Sequence, residues 1–182
     1  MEKEKNKMAG FFPQLVGPAL DAFTRGVRDI RERARRELNL SEDNVIIRSL
    51  RPEDLGRAST VTNAKSWQWV LTNSGTTSTD VLSGVTIADN RFCMIAGVSV
   101  DGGATGDDSL SQVSITRKGS VAREWNLEYA KAQLGRSCFF SDPITMDQNT
   151  TLTVSIYSLA TATHSVAFLG AVAEKRGMVF NP

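Results

Sequence analysis

The feature that most constrains this chain is a recurrence of short apolar or alternating runs, each closed by a cluster of turn-forming residues. Leu152, Val154 and Ile156 alternate with Thr151, Thr153 and Ser155, the period-2 pattern of a strand with one wet and one buried face. Comparable runs at 45–50, 66–72, 79–87, 92–100, 110–117, 121–129, 137–140, 150–159 and 165–173 predict about nine strands. Gly, Asn, Asp, Ser and Thr gather between them at 73–75, 88–90, 101–108, 118–119, 147–149 and 160–163, as turns require. Residues 117–120 are short enough for a tight hairpin. Many strands at 8–15-residue spacing with little helix between them predict a mainly β protein, a jelly-roll-type antiparallel β-sandwich.

Charge divides the chain. Residues 1–57 carry 12 basic and 10 acidic side chains, whereas the much longer 58–182 carry 9 and 10, together with 30 Ser and Thr, a composition that favours pleated strands. The expected organisation is an N-terminal arm with linker over 1–57 and a β-sandwich body over 58–182. Within the arm, Val16, Leu20, Phe23, Val27, Ile30 and Ala34 recur at intervals of three and four, which places them on one stripe of a helix. Pro18 suits a helix's first turn, and the arginine-rich end complements the carbonyl end of its dipole. An amphipathic helix is predicted over about 18–38, preceded by an apolar tip at Phe11 and Phe12. Arg25, Arg28, Arg35 and Arg36 lie off the stripe. Such a helix can fold back onto its own β body, but five apolar side chains left in water are a large unmet burial, and the stripe and its arginines are expected instead to bind outside that body, to a neighbouring subunit or an anionic membrane surface.

Catalysis needs acids, bases or nucleophiles within reach of one another, and few candidates exist. His164, the sole histidine, reads as a surface or hydrogen-bonded residue at a strand entrance. There is no Gly-x-Ser-x-Gly elbow and no C-x-x-C or H-E-x-x-H spacing. Cys93 and Cys138 sit in apolar runs and read as small buried hydrophobes. The Gly-rich segment 101–108 lacks a P-loop's Gly-Lys-Ser/Thr ending; Asp101, Asp107 and Asp108 could ligate calcium, but a solvent-facing loop joining two strands is the better reading. Trp67 and Trp69 share one strand face and, with Trp125, fit packing better than a sugar-stacking platform. No stretch reaches the roughly 20 apolar residues that span a bilayer, and the interrupted N-terminal stretch is not expected to direct secretion. The sequence predicts a protein without catalytic residues, cofactor or metal, with no small-molecule substrate and, at net +1, no specific nucleic acid.

The β region resembles the single jelly-roll capsid proteins of tailless icosahedral viruses, especially those that enclose a membrane. The strand number, the Ser/Thr-rich alternation and the closing stretch 141–157 carry the likeness, over roughly residues 60 to 175. In that stretch Asp142-Pro143 reads as a turn leading to a polar turn and a long alternating strand. The resemblance implies a capsid shell subunit, made in the host cytoplasm and resident in the virion. It implies assembly with copies of itself and other capsid proteins, and an arm running along the inner surface, where it can meet a membrane. An accessory virion role (vertex, spike-base or cement) and a carbohydrate-binding β-sandwich are the alternatives.

Overall fold

Nine strands form two antiparallel sheets in a computed structural model that describes residues 15–55, 68–73, 75–101, 109–133 and 136–177. The first sheet runs β1 (Val45–Ser49), β9 (Ala162–Lys175), β4 (Arg91–Asp101), β7 (Ser137–Met146), with β2 (Trp69–Asn73) on the first half of β9 and β1 on its second. The second runs β3 (Thr77–Thr86), β8 (Thr151–Ser158), β5 (Leu110–Arg117), β6 (Ser120–Asn126). Strand order 2-9-4-7 against 3-8-5-6 is the double Greek key of a jelly roll, and all nine expected strands are present. The 117–120 hairpin is a two-residue turn with positive φ at Lys118 (52°) and Gly119 (77°), the hand that matches strand twist.

The two sheets enclose the main core, which includes Val81, Leu82, Cys93, Ile95, Val113, Ile115, Leu152, Val154, Ile156 and Val172. A second core lies on the opposite face of the first sheet. There Phe92, Met94 and Ala96 of β4 and Ala171 and Ala173 of β9 meet Phe23, Ile30 and Ala34 of helix α1 (Pro18–Glu37). Pro18 occupies the first position of α1 as expected. The helix ends with Asn39 at φ 50° and the Leu40 N–H on the Arg35 carbonyl at 3.0 Å, a Schellman closure.

Two local readings differ. Asp142-Pro143 is not a turn but a bulge within β7, where the register jumps from Gly97↔Phe139 to Ile95↔Ile144; β7 is an edge strand, so its proline forfeits no inward ladder bond. Tyr129 lies not in a strand but in a short helix, α2 (Glu128–Ala132). The organisation also differs at residue 57, because residues 45–55 of the expected arm are built into the body through β1 and the buried Pro52, Asp54 and Leu55.

Close approaches in the second core use glycine. A Cβ at Gly170 would strike the backbone carbonyl of Met94, whereas one at Gly26 would strike only the movable Met94 thioether. Gly170→Ala is expected to destabilise by about 1–3 kcal/mol. Gly26→Ala should stay within about 1 kcal/mol of the parent, since alanine's helix propensity offsets the shift of Met94. Urea unfolding of the two variants checks the contrast.

Candidate functional site

The expected interaction surface is only partly available. Phe23 and Ile30 are buried on the chain's own first sheet and Val27 is half-buried against them, which corrects the expectation that the whole stripe faces a partner. The physical reason is that the outer face of β4 and β9 is itself apolar, and a tethered helix covers it. Only the start of the stripe stays open, Val16 at 71% and Leu20 at 44% exposure. Arg25, Arg28, Arg35 and Arg36 are exposed; Arg35 and Arg36 border a shallow hollow with Glu32 and Leu40. Phe11 and Phe12 lie outside the described residues.

Trp67, Asp107 and Asp108 also fall outside the described residues, while Asp101 ends β4 and Trp69 begins β2. Among the described residues no three His, Cys, Asp or Glu side chains gather as a metal site, and no helix is long and apolar enough to cross a membrane. His164 is buried, its Nε2 2.9 Å from Ser158 Oγ. That hydroxyl also lies 2.8 Å from the Ala160 carbonyl, and the contacts tie the β8–β9 turn together. Trp125 stacks on Phe140 with centroids 3.9 Å apart, closing the sandwich where β6 and β7 form its open edge. Arg123 lies over the indole and donates to the Asp142 carboxylate and carbonyl, both at 2.8 Å. The free cysteines are packing residues: Cys93 is buried and Cys138 half-buried.

A buried charge cluster has no counterpart in the sequence reading. Arg48 of β1 forms a two-pronged pair with Asp54, both bonds 2.6 Å, and reaches Glu174 of β9 at 2.7 and 3.1 Å. Arg91 of β4 lies 3.4 Å from Asp54 and 3.3 Å from Glu174, the latter close enough for an ion pair but misaligned as a hydrogen bond. Both carboxylates are wholly buried, while the Arg48 and Arg91 side chains keep 18% and 20% exposure. Burial pulls the Arg48 guanidinium down, but its bonds to Asp54 and Glu174 outweigh that and hold it above its ordinary value. Charges balance two against two, and Asp54 also accepts the Arg51 N–H at 2.8 Å. The arrangement clamps residues 48–54 to β4 and β9. Charged residues beside apolar runs, Arg48 after Ile46-Ile47 and Glu174 after Val172-Ala173, were the available signal.

Fold and surface together define a jelly-roll β-sandwich with a helix sealing one outer face. No family model matches the chain, and no curated protein matches it. Among solved structures it is similar to the C-terminal CBM6 of LamC, a marine laminarinase from Zobellia galactanivorans, at 9% identity and a TM-score of 0.32, over 71% of this chain and 100% of that one.

Two outcomes follow from this geometry. Asp54→Asn strands guanidinium charge in the interior and is expected to cost about 3 kcal/mol in urea unfolding, the low end for a broken buried pair because the arginines keep some solvent. Burial first, and then the Asp54 charge, push the Cys93 thiol well above its ordinary value. Cys93 should therefore resist a thiol-specific disulfide reagent in the native protein and react on denaturation, whereas half-buried Cys138 reacts natively but slowly.

Proposed function

We propose that the protein is a structural assembly subunit, a jelly-roll building block of a viral shell that associates with copies of itself. The observation supporting this reading is the open start of α1. Val16, just before α1, and Leu20, in its first turn, expose apolar surface, whereas the stripe beyond them is buried at Phe23 and Ile30 and half-buried at Val27, and the chain before them carries Phe11 and Phe12. On this reading the contact to a neighbour involves Val16, Leu20 and the residues before them rather than the whole helix face. Lost burial of two such side chains amounts to about 1.5–3 kcal/mol each, enough for an apolar anchor but requiring further contacts for a stable interface. The same subunit chemistry serves a main shell or an accessory virion role, which copy number per particle separates.

A second reading, a carbohydrate-binding sandwich, draws on a shallow groove of about 290 Å³ lined by Ser111, Gln112, Glu124, Trp125 and Asn126. Amides, a carboxylate and an indole edge suit sugar hydroxyls. The stack of Trp125 on Phe140 occupies one face of the ring, which favours the assembly reading.

Size-exclusion chromatography with light scattering on the full chain and on a chain lacking residues 1–16 tests the proposal. The full chain is expected to form oligomers at high concentration, and the truncated chain to remain folded and monomeric, because Phe23 and Ile30 are retained. A monomeric full chain that binds glycans in a Trp125-dependent manner would replace the assembly reading with the second.

A further inference from the structure

We propose that a cleft between the C-terminal part of α1, the β5–β6 hairpin and the β7–β8 turn binds a phosphate-type oxyanion. The cleft has a volume of about 270 Å³ and is lined by Arg33, Arg117, Lys118, Thr145, Asp147 and Thr150. One water takes only ~30 Å³ of liquid volume, so the space admits an ion and its hydration.

Three cations converge there from two elements remote in sequence. Arg33 is fixed, its Nη1 donating to Asp147 at 3.0 Å and its Nε to Asp29 at 3.1 Å. The hydrogen bond to Asp147 outweighs burial and, with that to Asp29, holds its guanidinium above the ordinary value. Arg117 Nη1 donates to the Thr145 carbonyl at 2.5 Å, which anchors the guanidinium at the cleft while its other nitrogens have no partner among the described residues. The Lys118 side chain is exposed and has no ion-pair partner among the described residues. Three cations line the cleft with one carboxylate, Asp147, which is paired with Arg33, as is Asp29 outside the cleft, so the surplus charge sits on the hairpin side. A planar guanidinium beside a compact ammonium offers only donors, the set that recognises phosphate oxygens.

The backbone adds an independent observation. Lys118 holds φ 52°, a left-handed position that glycine and asparagine occupy at less cost than lysine. What lysine contributes there, and asparagine would not, is its charge. Lys118→Asn therefore separates the two roles, since it suits the turn and removes the ammonium.

The test is isothermal titration of the full chain with inorganic pyrophosphate at low ionic strength, with sodium chloride of equal ionic strength as control. Sedimentation with phosphatidylcholine vesicles containing phosphatidic acid runs in parallel. Saturable pyrophosphate binding is expected, weakened about tenfold by Lys118→Asn and by Arg117→Gln, with the Lys118→Asn urea midpoint unchanged or raised. Pyrophosphate binding without vesicle binding identifies a soluble phosphate ligand; vesicle binding lost in Lys118→Asn and displaced by pyrophosphate identifies a lipid headgroup. Either supports the site. Absence of saturable binding to both probes, or binding unaltered in both variants, overturns it.

Discussion

Strand β4 is apolar on both faces, and the architecture follows from that constraint. Its Cys93 and Ile95 enter the core between the sheets, while Phe92, Met94 and Ala96 point the other way. A sandwich alone can cover only the first set. Helix α1 covers the second, adding a third layer to a fold that otherwise has two. The seal is tight where Gly26 of α1 rests on Met94 and where Gly170 of β9 lets its neighbour's carbonyl approach. What looks in sequence like a detachable arm is, over Phe23 to Ala34, part of the core.

The charge cluster acts at the rim of the same sheet. Arg48, Asp54, Arg91 and Glu174 join β1 and the turn after it to β4 and β9. Buried pairs of this kind contribute less to net stability than their geometry implies, because each ion loses its hydration. Their effect is specific instead: an Arg48 placed anywhere else would leave two buried carboxylates underpaired. The segment that follows α1 is thereby tied to β4 and β9, while α1 itself is held by its packing on the first sheet and Arg33 by its bond to Asp147.

The strands were legible because period-2 alternation and turn clusters are local signals, and the Lys118-Gly119 hairpin was legible for the same reason. The fate of α1 was not. A stripe such as Phe23, Val27 and Ile30 announces that a helix face will be buried but not by what. The missing information lay in another segment: residues 92–98 are continuously apolar rather than alternating, the mark of a strand covered on both sides. Asp142-Pro143 carries a turn signal that holds unless the strand is an edge, and edges are defined only by the full topology. The charge cluster was invisible for a similar reason, since its four members span 126 positions.

For function, the division is between a scaffold that is closed and surfaces that remain open. The inter-sheet core and the α1 contact are closed by buried side chains, and among the described residues the start of α1, the basic cleft and the sheet edges are the surfaces left open. The central claim, that α1 from Phe23 to Ala34 belongs to the cooperative core rather than to a detachable arm, is tested most directly by native-state amide hydrogen exchange. Amides of Ile30–Ala34 and of Phe92–Ala96 should exchange with the same free energy, through global unfolding. Exchange of the α1 amides through an opening of much lower free energy, with β4 still protected, would contradict the account.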